Sequence, residues 1–166
     1  MPSHKSKFDA KQIAALPVAL NKKKEFRILM VSSRDSGRWI IPKGWLMRKK
    51  AAWQAAEIEA LEEAGALGLI GRKSLGKYTY TKNMGNGAKL IIRVSVYPLI
   101  VNKLKKRWKE ADYRKRRWFS AQNAAKSIEV PELKEILIKL KDNQKRSKYK
   151  KFKLSHIYKN YNISLN

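Results

Sequence analysis

At 166 residues the chain has the length of one ordinary domain and can bury a core of its own. It has no cysteine, which excludes disulfides, thiolate metal sites and thiol nucleophiles. Its net charge of +26, from 39 Lys and Arg against 13 Asp and Glu, suits polyanionic partners, or reflects a lysine-rich coding bias.

No apolar run approaches the roughly 20 residues of a membrane-spanning helix. The basic start MPSHKSKFDAK lacks the hydrophobic segment of a secretory signal, so a soluble cytoplasmic protein is expected. Residues 1–12 are polar and basic and are expected to be flexible. Residues 13–20 (IAALPVAL) read as a strand, with Pro17 suited to a sheet edge because it has no N–H for a ladder. A basic turn at 21–24 precedes a continuous apolar run of strand length at 26–33. Residues 38–41 (RWII) make a short strand that Pro42 closes, and 43–50 read as a basic loop. The stretch AAWQAAEIEALEEA at 51–64 is rich in strong helix formers, free of Gly and Pro, and stopped by Gly65. It predicts a helix whose Trp53, Ala56, Ala60, Leu61 and Ala64 pack on a sheet.

The chain turns extended again over 67–81. The Asn-Gly signal in NMGNG at 83–87 predicts a hairpin turn into a long strand at 90–101, so these two segments should pair. Residues 102–117 read as a charged loop with nine basic and two acidic residues. A short strand at 117–119 follows, then a helix over 121–127 capped by Ser120 and a last helix opened by Pro131. In that last helix Leu133, Ile136, Leu137 and Leu140 form one apolar stripe. Beyond Asp142 the pattern fails, and 143–166 read as a basic tail. Strands around one central helix, with helices after them, make a mixed α/β sandwich.

The central helix carries the chemistry. Glu59, Glu62 and Glu63 fall at i, i+3 and i+4, within about 100° of arc. Like charges at that spacing repel, and acids near a helix C-terminus oppose its dipole. A hard divalent cation would resolve the conflict. An ordinary solvated acidic face is the alternative.

The flanking residues decide between these. From Gly44 the chain reads GWLMRKKAAWQAAEIEALEEAGA, which resembles the Nudix box, G-x5-E-x7-R-E-U-x-E-E-x-G-U with U apolar. Gly44, Glu59, Ala60, Glu62, Glu63, Gly65 and Ala66 fall in register. The preceding RWIIPKGW and the later RRWFSAQNAA resemble the same family, in its diphosphoinositol-polyphosphate and diadenosine-polyphosphate branch, so the resemblance covers about residues 13–142. It implies a Nudix-type α/β/α sandwich with a mixed central sheet. It also implies Mg²⁺ or Mn²⁺ held by Glu59, Glu62 and Glu63, and cleavage of a phosphoanhydride bond. The substrate would be a nucleoside di- or polyphosphate, a dinucleoside polyphosphate or a diphosphoinositol compound; loops rather than the box set that choice. One of the three glutamates, or a carboxylate from the later loop (Glu110 or Asp112), would take the proton of the attacking water. Lys43 and Arg38 beside Gly44, with Arg93 on a facing strand, are candidate phosphate clamps, and Gly44 would let the backbone approach the phosphates. Tyr78 and Tyr80 alternate onto one strand face and either stack on a base or pack internally.

Two box positions depart. Lys50 stands where the first Glu is expected, and Ile58 where an Arg would orient the carboxylates. Hence a second reading: a catalytically weak or inactive Nudix-fold module that binds RNA or nucleotides. Residues 141–153, with seven Lys or Arg and one Asp, would supply its phosphate contacts. The sequence leaves the oligomeric state open.

Overall fold

The computed structural model describes residues 7–23 and 25–146. Its elements run β1 (Ala10–Leu20), β2 (Phe26–Ser32), β3 (Trp39–Ile40), β4 (Lys43–Trp45), α1 (Ala52–Ala64), β5 (Ala66–Ile70), β6 (Gly76–Asn83), β7 (Lys89–Leu104), β8 (Arg116–Ser120), α2 (Ala121–Ser127) and α3 (Pro131–Arg146). The strands form one mixed sheet, β3-β2-β1-β7-β5, with β4 also on β1, β6 on β7 and β8 on β2. The β1–β7 pairing is parallel and the rest are antiparallel. α3 continues through Arg146, so the tail expected from residue 143 begins as helix. Residues 147–166, and with them the later part of the 141–153 stretch expected to contact phosphates, lie outside the described residues. Among the described residues no helix is long and apolar enough to cross a membrane.

Side chains alternate between the two faces of a strand, and here both faces are covered. Ile13, Ala15, Leu29 and Val31 pack on the alanine face of α1, formed by Ala55, Ala56, Ala60 and Ala64. Ala14, Leu16, Val18, Ile28 and Met30 pack on the other side with Ala124 of α2 and with Leu133, Ile136 and Leu137 of α3. That double burial explains why β1 and β2 read as continuous apolar runs. The architecture is the expected α/β/α sandwich.

Three local expectations change. β1 starts at Ala10 rather than at residue 13 and lies inside the sheet, so Pro17 is not on an edge strand. The tolerance is local. On one side β1 pairs with β4 over residues 12–14 and with β2 over 18–20, and the Ala15 N–H reaches Pro42 O at 2.9 Å on that same side. Two residues on, the nitrogen of Pro17 faces the same way, into the gap between the two partners, where no N–H is needed. Second, 43–45 is not loop but β4, which extends the sheet and holds Gly44 against α1. Third, β7 runs on to Leu104 and β8 begins at Arg116, which shortens the charged loop to the residues between.

β5 bends onto β7 at an irregularity between Leu67 and Gly68. A Cβ on Gly68 would lie 1.8 Å from the Ile100 carbonyl oxygen, and backbone cannot give way as a side chain can. Gly68→Ala is therefore expected to cost about 3 kcal/mol in chemical denaturation. A loss well under 1 kcal/mol would show that β5 detaches without consequence.

Candidate active site

Helix α1 ends at Gly65, whose left-handed φ of 61° suits a residue without a Cβ. The last carbonyls of a helix lack partners within it. Here the charged loop and Arg116, the first residue of β8, supply them. Glu62 O accepts from Glu110 N (3.1 Å), Glu63 O from Trp108 Nε1 (3.0 Å), Ala64 O from Arg116 Nη1 (2.8 Å) and Gly65 O from Lys105 N (2.8 Å). The Arg116 guanidinium also stacks on Trp108, 3.9 Å from the ring centroid. Residues read from the sequence as a charged loop are thus docked on the end of the glutamate helix. Trp108 was the available signal, since an indole N–H beside cations seeks a buried acceptor.

Docking closes a cleft of about 570 Å³, lined by Gly44 and Trp45 of β4, Glu59 and Glu63 of α1, Glu110 and Arg114 of the loop, and Arg34, Lys43 and Lys82. Glu63, on the sheet-facing side of α1 with Ala56 and Ala60, has a side chain only 6% exposed. Its Oε1 accepts from Arg114 Nη2 at 2.8 Å and its Oε2 from the Lys43 backbone N–H at 3.2 Å. Glu59 lies against Gly44 so closely that a Cβ there would meet Glu59 Oε1 at 2.0 Å. Glu110 pairs with Arg34 at 3.4 Å and approaches Arg114 Nε at 3.6 Å. Glu62 is drawn to Lys109 at 2.9 Å, is 32% exposed and does not line the cleft. The cleft therefore gathers Glu59, Glu63 and Glu110, with Glu62 at its margin.

The wall is electrostatically loaded. Burial pushes the Glu63 carboxyl up to about 7, against the opposing pull of Arg114. Burial also raises Glu59, and the negative charges of Glu62 and Glu110 add to the shift. Burial holds the Lys43 ammonium below its usual range, with Glu63 opposing. Acids held above and an amine held below their ordinary values in one cleft are what a reactive site looks like.

The other expected residues are dispersed. Lys43 and Gly44 line the cleft, but Arg38 pairs with Glu129 ahead of α3, away from it. Arg93 sits over Phe8, 5.2 Å from the centroid, so it is no phosphate clamp in this arrangement. Tyr78 is buried in the core, and burial raises its phenol. It packs internally and has no face left to stack on a base. Tyr80 donates to Gln12 Oε1 at 2.6 Å and carries Lys43 Nζ 5.2 Å over its ring, so it braces the cleft from behind. Asp112 is exposed and outside the lining, whereas Glu110 is within it. Arg34, Lys82 and Arg114 were not singled out from the sequence; among 39 basic residues nothing in their spacing marks them.

No family model matches the chain. The human diphosphoinositol polyphosphate phosphohydrolase 3-alpha is 35% identical over 118 residues, covering 69% of this chain and 68% of that protein. The chain belongs to the Nudix hydrolase family. The Arabidopsis protein Nudix hydrolase 21, chloroplastic, is 29% identical over 114 residues; they cover 68% of this chain and 56% of that longer relative. The structure of a Caenorhabditis elegans Ap4A hydrolase shares the fold, with a TM-score of 0.60 at 20% identity over 81% of this chain and 96% of that one.

Among the described residues no three His, Cys, Asp or Glu side chains are gathered closely enough to cage an ion as they stand. The donor set nevertheless fits the divalent cation expected of a Nudix site. Its oxygens are hard carboxylates. The repulsion that Glu62 and Glu110 exert on Glu59 is what a bound cation would relieve.

Proposed function

We propose that this cleft hydrolyses a phosphoanhydride bond of a polyphosphorylated small molecule with the help of Mg²⁺ or Mn²⁺. The observation that carries the reading is the single cleft in which Glu59, Glu63 and Glu110 face Arg34, Lys43 and Lys82. Glu59 and Glu63 in the cleft, with Glu62 turned in from Lys109, would hold the ion. When bound, the metal neutralises non-bridging oxygens and acidifies a water for attack on phosphorus. Lys43, Lys82 and Arg34 bind and orient the phosphates of the chain. Glu110, which the docked loop brings into the lining, would accept the proton of the attacking water. Neither departure, Lys50 or Ile58, removes one of these side chains from the sequence.

The test is phosphate release from a panel of diadenosine polyphosphates, nucleoside triphosphates and diphosphoinositol polyphosphates, with Mg²⁺ and with a chelator. Metal-dependent turnover of at least one compound is expected. Turnover unchanged by Glu62→Gln and by Glu63→Gln would remove the assignment.

The rim favours a substrate with a base. Trp45 and Leu46 are 44% and 49% exposed at the mouth of the cleft, and Lys82 lies 5.3 Å from the Trp45 ring centroid. A large exposed indole beside phosphate-binding cations suits stacking on a nucleobase. Trp45→Ala is expected to raise KM about tenfold for diadenosine polyphosphates, the loss of one stacking contact. KM for a diphosphoinositol compound, which has no aromatic ring, should not change. Equal effects on both would show that Trp45 does not read a base.

A further inference from the structure

The Arg114 side chain, which lines the cleft, is only 9% exposed. Three elements hold it. Its Nη1 donates to Ser32 O at the end of β2 (3.0 Å), its Nη2 donates to Glu63 Oε1 on α1 (2.8 Å), and its Nε lies 3.6 Å from Glu110 Oε1 on its own loop. That Nε is buried without a hydrogen-bond partner, so the guanidinium sits where the fold puts it and not where all its donors are best satisfied.

A buried carboxylate without fixed donors either takes up a proton or turns to find one. Glu63 has a donor on each oxygen, Arg114 Nη2 on one and the Lys43 N–H on the other. Only a planar fork with several N–H groups can serve Glu63 and Ser32 O together while facing Glu110; a single ammonium cannot span them. Ile58, on α1 itself, is aliphatic and can orient no carboxylate. The guanidinium arrives instead from a loop 51 residues beyond Glu63.

We infer that Arg114 is the positioning residue of this site, fixing the Glu63 carboxylate and tying it to Glu110 and to the end of β2. The inference rests on the hydrolase reading above for its kinetic part, and on geometry alone for its structural part. Arg114 acts through Glu63 and not on the substrate, so its loss should appear in kcat.

The experiment compares the parent with Arg114→Ala and Arg114→Lys in steady-state kinetics and in crystal structures. Arg114→Ala should lower kcat about 10- to 100-fold, the usual effect of removing a group that orients a ligand, with little change in KM. Added guanidinium at millimolar concentration should restore part of that turnover, which a residue needed only for packing would not show. In the crystal structure of Arg114→Ala the Glu63 carboxylate should have turned from its place. If that variant does not fold, Arg114→Lys, which keeps the charge but loses the fork, should show the same kcat loss and the same turned carboxylate. A parental kcat, a raised KM with kcat intact, or an unmoved Glu63 would overturn the inference. A parent that hydrolyses nothing in the panel defeats the hydrolase reading instead, and the position of Glu63 in the variant structures still decides the role of Arg114.

Discussion

Gly44→Ala is expected to leave the protein folded while lowering kcat about 100-fold, the scale of a misplacement of roughly 1 Å in a catalytic group. The reason lies in what the new methyl group would meet. At Gly44 it falls 2.0 Å from Glu59 Oε1 and 2.3 Å from its Cδ, and the three nearest atoms all belong to the Glu59 side chain. The nearest obstacle is the far end of a side chain and φ at Gly44 is not in the left-handed region, so the clash is relieved by swinging the carboxylate aside. An alanine in β4 also restricts the unfolded chain more than glycine does, so stability should hold or rise by about 0.5 kcal/mol. Thermal melting and steady-state kinetics on the same sample check both halves. A melting temperature that falls with the activity would mean that Gly44 is required by the sheet rather than by Glu59. Gly68 is the contrast, since the obstacle there is the Ile100 carbonyl. The same substitution should act on activity at one glycine and on stability at the other.

The parts of this fold that were legible in the sequence are those fixed by neighbours a few residues apart. α1 with its Gly65 stop, the Asn-Gly hairpin joining β6 to β7, the Ser120 cap that accepts from Asn123 N–H, and the apolar stripe of α3 all depend on local chemistry. What stayed hidden depends on contacts distant in sequence. Pro17 looked like an edge residue because nothing nearby tells that β1 changes partner beside it. β4 looked like loop because three residues carry no period.

In the site, the helix and Gly44 were legible through their register, and the second wall was not. Arg114 and Glu110 reach Glu63 and Arg34 only because Trp108 and the loop backbone cap the carbonyls of α1. In so basic a chain a buried arginine looks like any other. Arg38 shows the converse error: adjacency to Gly44 in sequence suggested a clamp, and the β3 turn sent it to Glu129.

Glu63→Gln is expected to lower turnover about 1,000-fold or more, as when one member of a catalytic unit is removed. It should also flatten a pH dependence of stability in the metal-free protein. Burial raises the Glu63 carboxyl from the ordinary 4.5 to about 7, Arg114 notwithstanding. The folded protein then holds this proton more tightly than the unfolded chain does. The contribution of Glu63 to stability is fully present below pH 4.5 and is lost as pH rises through about 7. For a side chain 6% exposed the loss is on the order of 3 kcal/mol. Glutamine has no proton to lose in this range. The parental stability curve should therefore fall relative to that of the variant between pH 4.5 and pH 7, and the two should run parallel above that window. Denaturant titrations across the window measure the difference, and titrating groups that do not interact with Glu63 cancel because they are common to both proteins. Curves parallel throughout would mean that Arg114 and the Lys43 N–H fully offset the desolvation of this carboxylate. The site would then hold its charge at rest without a cation. A slope present in the parent and absent from the variant would show a carboxylate kept in the cleft at a cost to stability.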